Sequence, residues 1–148
     1  MKFRLLNKKS ICSENIPVSK GIYVLILKVE NDCFLRVGSL GSIKFKKGYY
    51  AYVGSALGGL RTRLKRHITK NKVLRWHIDY LLTCAEIVNI AYIETDDKIE
   101  DDVACWFYNR FESIVKFGAS DSKICLSHLF FAKRKRDFIK ELDRFSYI

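Results

Sequence analysis

The hydrophobic period of this 148-residue chain changes once, at Gly58-Gly59, and that change limits what it can fold into. Ahead of it lie short apolar runs rich in Val, Ile, Leu and Tyr, at residues 22–29, 33–37, 43–45 and 49–53, which read as strands. Asn31-Asp32 predicts a hairpin joining the first two runs, and Lys46-Lys47-Gly48 separates a second pair. Behind it, Leu60, Leu64 and Ile68 recur every four residues, so the segment predicts a helix carrying Arg61, Arg63, Lys65, Arg66 and His67 on its other faces. Further helices are expected over 74–84 and 98–115, a strand over 87–93, a loop over 118–127, a short strand over 128–131 and a charged helix over 133–145. The expectation is an α+β fold, a small antiparallel β-sheet flanked by helices. It forms a single domain over 21–148 with a C-terminal basic helix, after a lead-in over 1–20 that is irregular or holds a short edge element around the only proline, Pro17.

Charge narrows the function. Twenty-seven Lys and Arg against sixteen Asp and Glu leave +11, a field that suits an acidic polymer. Seven of the cations (Arg61, Arg63, Lys65, Arg66, Lys70, Lys72 and Arg75) fall in fifteen residues with no acidic one among them, and Lys133-Arg134-Lys135-Arg136 forms a second run. Such clustering is the footprint of phosphate-backbone binding. No apolar stretch is long enough to cross a bilayer, and the basic N-terminus lacks a signal peptide's apolar core. The five cysteines are odd in number, scattered and without a CxxC pair, which predicts a reducing compartment, the cytoplasm, and no structural zinc.

Tyr23 falls on the first strand, Tyr52 near the end of a later one and Arg63 on the basic helix, so two hydroxyls stand beside a guanidinium. Arg63 and His67 are four apart and share a face. A forked guanidinium suits a phosphate oxygen, and a neighbouring His or Tyr can relay a proton. Taken alone, the same pattern also describes a solvated helix face and two core tyrosines.

Gly21-Ile22-Tyr23, then Tyr52-Val53-Gly54, then Arg63 nine positions on and His67 one turn later, resemble the GIY-YIG nuclease superfamily. With GYYAYVGSALGGLRTRLKRH, RWHIDYLL and the late FGASD and SHLFF, the likeness extends over about residues 21–131. It is similar to an archaeal and bacterial branch classed as a domain of unknown function, some members of which resemble segments fused to endonuclease III-like repair proteins. The resemblance implies a central three-stranded antiparallel sheet and a divalent cation, Mg²⁺ or Mn²⁺, held by a glutamate on a late helix. Glu100 is the match, with Asp101 and Asp102 as competitors in a stretch that crowds six acidic residues into 94–102. Glu100 shares a helix face with Ala104, Phe107 and Phe111, where an unpaired carboxylate would be costly. Asp97 with Glu100 also fits a capping-box start that needs no metal.

In the implied mechanism Arg63 neutralises the phosphoryl group, and Tyr52 or Tyr23 activates water if the Arg cluster and His67 lower its pKa. Arg61, Lys65, Arg66, Lys70, Lys72 and Arg75 would follow the nucleic-acid backbone. The chain departs from the family at three points. Tyr23 and Tyr52 stand 29 positions apart, which requires an extra hairpin between them; Ser55 replaces a lysine; and the usual asparagine after the metal glutamate has only Asn109 as a poorly spaced equivalent. The late loop, with Ser120, Asp121, Ser122, Cys125, Ser127 and His128, could line the site, and His77 with Asp79 are too close in sequence to share a helix face. Two functions are expected from these features. One is a metal-dependent endonuclease acting on DNA more than RNA, in repair or recombination and open to a repair-protein partner. The other is a binding module without turnover.

Overall fold

The computed structural model describes residues 1–118 and 127–145. Its elements in chain order are β1 (Arg4–Asn7), β2 (Gly21–Val29), β3 (Cys33–Arg36), β4 (Ser42–Phe45), β5 (Gly48–Ala56), α1 (Leu60–Ile68), α2 (His77–Leu81), β6 (Glu86–Glu94), α3 (Glu100–Tyr108), β7 (Glu112–Ser113), β8 (Leu129–Ala132) and α4 (Lys135–Arg144). Six strands form one antiparallel sheet in the order β1-β6-β2-β5-β8-β7. The fold is α+β, an antiparallel sheet with helices on both faces, as the change of period predicts.

β2 explains the layering. Its residues are apolar at nearly every position because both faces are covered. Tyr23, Leu25, Leu27 and Val29 enter one core with Leu60, Leu64 and Ile78, whereas Ile22, Val24 and Ile26 enter a second core with Val103, Phe107 and Phe138. α1 and α2 therefore lie on one side of the sheet and α3 and α4 on the other.

Several boundaries and pairings differ from the sequence expectation. β2 does not form a hairpin with β3, nor β4 with β5; β2 pairs with β5 along its whole length, from Gly21↔Ala56 to Val29↔Gly48, and β3 pairs with β4 in a separate two-stranded sheet. The physical reason lies in burial. A strand apolar on both faces needs long partners at both edges, which β5 and β6 supply, whereas β3 alternates exposed and half-buried residues and suits a small sheet with one face on the core. The β3–β4 hairpin is thus the extra hairpin that the spacing of Tyr23 and Tyr52 requires. The helix expected over 98–115 stops at Tyr108, because Glu112 and Ser113 pair with Phe131 and Phe130 as an edge strand. α2 is shorter than expected, only five residues.

The lead-in is an edge element and more. Arg4–Asn7 pairs with β6, and Ile16 is fully buried. Gly59 gives α1 no side-chain cap, so the helix borrows carbonyls from the lead-in: Leu60 N–H donates to Ser19 O at 2.8 Å and Arg61 N–H to Pro17 O at 3.0 Å. Among the described residues, no helix is long and apolar enough to cross a membrane. Cys12, Cys33 and Cys84 are free, whereas Cys105 on α3 is disulfide-bonded, a departure from the expectation of thiols throughout.

Candidate active site and metal-binding group

Sheet register brings the two tyrosines onto one face. Tyr23 on β2 lies opposite Gly54 on β5, and Tyr52 is two residues before Gly54, on the same side of the pleat. Gly54 is glycine for a steric reason, since a Cβ there would sit 2.5 Å from the Tyr23 phenol oxygen. The absent side chain lets the phenol lie flat over β5 and reach α1.

α1 supplies the partners of Tyr23. Its buried stripe runs Leu60, Leu64 and His67, the i, i+4, i+7 positions, so His67 faces the core and not the solvent face assigned to it from the Leu60-Leu64-Ile68 pattern. The Tyr23 hydroxyl and His67 Nε2 are 2.7 Å apart. The Arg63 charge bears on this phenol as well. In the tautomer where the phenol donates to Nε2, Nδ1 carries the imidazole hydrogen. Nδ1 is buried and finds no partner among the described residues, while other atoms of His67 line a cavity of about 600 Å³ with Lys70 and Lys72.

Burial, more than charge, sets the acidities. It pulls His67 down to about 3, assisted by Lys72, Arg63 and Arg66, so the imidazole is neutral at physiological pH. Tyr23 and Tyr52 are both pushed above the ordinary phenol value, first by burial and then by neighbouring negative charge, although Arg63 opposes the rise. The expectation that the Arg cluster acidifies a tyrosine is therefore overturned for the free protein: a phenolate would lose more hydration than one guanidinium returns. Both phenols are protonated donors.

The other half of the site comes from α3 and the start of β8. The His128 carbonyl accepts from Val53 N–H at 2.9 Å, and the next residue, Leu129, pairs with Tyr52, so the imidazole is held beside β5. His128 Nδ1 lies 3.0 Å from Glu100 Oε2 and Nε2 lies 3.2 Å from Asp101 Oδ1. The ligand atoms of Glu100, Asp101 and His128 all fall within 4.8 Å of one another, and the group could hold a metal ion. His128 is buried and the two carboxylates are half-exposed. Burial alone would lower His128, but the hydrogen bonds and charges of Glu100 and Asp101 outweigh it and raise its pKa. The charge of Glu100 acts on both Tyr52 and Tyr23, so the start of α3 is within electrostatic reach of the phenols.

The capping-box reading of Glu100 is not what the helix does. Ile99 is the N-cap of α3, with no side-chain cap hydrogen bond. Glu100 is partnered by His128 and not left unpaired as its helix face suggested. Asp102 points away and is exposed, outside the ligand group.

The basic residues divide by employment. Arg61 Nε donates to Ile16 O at 2.7 Å, and Lys72 Nζ closes the end of α1 by donating to Arg66 O and His67 O. Arg66 is locked to Asp79 by two bonds of 2.8 Å. Lys65, Lys70 and Arg75 are exposed. Arg63 Nη1 donates to Ser55 O at 3.2 Å, so the position where a lysine was expected contributes its carbonyl. Asp79 is fully buried and accepts also from Arg75 N–H and Trp76 N–H, which pins the segment before α2 against α1. His77 Nδ1 accepts from Gly118 N–H at 2.9 Å, so His77 and Asp79 do not act as a pair.

Sequence reasoning missed Asp79 as an anchor and His128 as the partner of Glu100. The two ends of the second contact lie 28 positions apart and share no motif, and only the placement of a lone His before an apolar strand hints at it. Asn109 caps the C-terminal end of α3, away from the ligand group. Ser120, Asp121, Ser122 and Cys125 lie outside the described residues.

No curated protein and no solved structure matches this chain. One family does, over residues 22–147, which take in Tyr23, Tyr52, Arg63, Glu100 and His128 together, and the chain belongs to it: the Domain of unknown function DUF123.

Proposed function

We propose that this protein is a nuclease of the GIY-YIG superfamily that hydrolyses phosphodiester bonds in nucleic acid, DNA in preference to RNA, with the help of a divalent cation, and that it serves repair or recombination. The observation that carries this reading is the convergence on one site of two phenols, the Arg63 guanidinium and a carboxylate-imidazole group fit for a cation.

The donor set fits a metal: two carboxylate oxygens and one imidazole nitrogen within ligand reach of a common centre. The imidazole favours Mn²⁺ over Mg²⁺, which prefers oxygen alone. When bound, the cation supplies positive charge at the phosphate. The chain does the rest. Arg63, always charged, offers its fork to a non-bridging phosphate oxygen. Tyr52 and Tyr23 orient water and phosphate as hydrogen-bond donors, and Tyr23 can take a proton from water at its oxygen while passing its own to His67 Nε2. Because a second proton on the buried His67 is unfavourable, it passes back through the Tyr23 hydroxyl to the leaving oxygen.

Cleavage of a panel of labelled single-stranded, duplex, flapped and four-way DNA, with Mn²⁺, Mg²⁺ or a chelator, tests this. Products that need the cation, fastest with Mn²⁺, are the expected result. Binding to the same DNAs is expected to weaken roughly a hundredfold between about 0.05 and 0.2 M salt for about four phosphate contacts. A flat salt response would argue against the basic face.

A second reading, a binding module without turnover, is favoured by His128: its ring nitrogens already engage both carboxylates, so the group is satisfied without a metal. Salt-dependent binding with no products under any cation would establish it.

A further inference from the structure

Trp76 is a large aromatic that lies against the Arg63 guanidinium and is left partly open. Its residue is 37% exposed, on a surface otherwise given to cations. The Arg63 and Arg66 guanidinium carbons lie 4.6 and 4.0 Å from its ring centroid. The two guanidiniums hold the ring, Asp79 fixes Arg66 with two bonds, and the same carboxylate pins the backbone beneath the ring by accepting the Trp76 main-chain N–H at 2.9 Å. Arg66 also donates to Val73 O, and the Val73 and Leu74 side chains next to it are 72% and 39% exposed. An indole fixed in this way loses little freedom when something stacks on it, so it is a prepared platform.

We infer that Trp76 stacks an unpaired base of the nucleotide whose phosphate sits at Arg63. The inference rests on the nucleic-acid reading above and narrows its substrate class to single-stranded or flipped-out nucleotides. Charge complementarity selects the occupant: a ligand that meets both the Arg63 fork and an aromatic face within about 5 Å must join an anion to a flat ring, as one nucleotide does. In a continuous duplex the bases are stacked inward and cannot reach a side chain lying beside a phosphate contact, so the duplex would engage the arginines and leave the indole unused.

The chain holds two tryptophans, and Trp106 Nε1 makes no hydrogen bond among the described residues, so Trp106→Phe leaves Trp76 as the sole fluorophore with little disturbance. In that background, with a chelator present, the protein is titrated with oligothymidylate and with an abasic oligomer of equal length. The expected result is quenching of the indole by oligothymidylate and an affinity about 5- to 100-fold above that for the abasic strand, a preference that Trp76→Leu removes while abasic binding is retained. Equal affinities without quenching would show that Trp76 only spaces the arginines, and would overturn the inference while leaving the nucleic-acid reading intact. If neither strand binds, both fall. The comparison of the two strands needs no Trp76 variant, so it stands even if Trp76→Leu fails to fold.

Discussion

Arg63→Ala is expected to lower phosphodiester cleavage by roughly three orders of magnitude, the usual loss when a guanidinium that meets transition-state charge is removed. Glu100→Gln should do the same by a different route, losing Mn²⁺ binding in calorimetry, which Arg63→Ala keeps. Neither change should cost much stability. Arg63 is half-buried and its side chain donates to Ser55 O at 3.2 Å, while Glu100 is half-exposed at the start of α3. Thermal unfolding therefore separates lost chemistry from lost fold. Arg63→Lys keeps the charge without the fork and is expected to recover only a small part of the rate. Full activity in Arg63→Ala would remove the guanidinium from the mechanism.

Asp79→Ala is expected to destabilise the protein by about 3–5 kcal/mol, because it strips four hydrogen-bond donors of one buried acceptor and leaves the Arg66 charge without its partner. The contact has a pH signature. Burial pushes the Asp79 carboxyl up, but the Arg66 hydrogen bonds and charge and the two backbone N–H groups win and hold it at about 2, below the ordinary value of 3.8. A carboxyl lowered in the folded state stabilises above its unfolded pKa and loses that contribution as pH falls through the folded one. Denaturant unfolding between about pH 5 and pH 2 should therefore show wild type losing about 2 kcal/mol more than Asp79→Asn. Equal losses would mean that the carboxylate is not the anchor of the α1–α2 corner.

How much of this could be read beforehand depended on the range of the contact. The strand at β2 and the helix at α1 follow from local pattern, because each concerns neighbours along the chain, whereas the need for a hairpin between the tyrosines followed from the family resemblance and its strands were paired wrongly. The pairing of β2 did not follow, since apolar runs announce strands without naming partners, and burial on both faces was the missing cue. His67 was misplaced by a similar margin. An imidazole in an apolar stripe reads as polar until Tyr23 is known to reach it. The largest gap was His128: its role depends on α3 delivering Glu100 and Asp101 to the start of β8, a tertiary event without a local signature. Tyr23 and Tyr52 were legible as residues but not as acids, because their elevated pKa values come from burial that no motif records.

The central position of β2 also bears on how the chain is made. β2 leaves the ribosome ahead of both its partners, with β5 ending at Ala56 and β6 at Glu94. At roughly 5–20 residues per second, the nine-residue apolar strand waits several seconds with its β6 edge unpaired. During that interval nascent chains on neighbouring ribosomes present the same sticky edge to one another. Soluble yield should thus depend on chaperone supply and on how many nascent chains are made side by side more than on the stability of the finished protein.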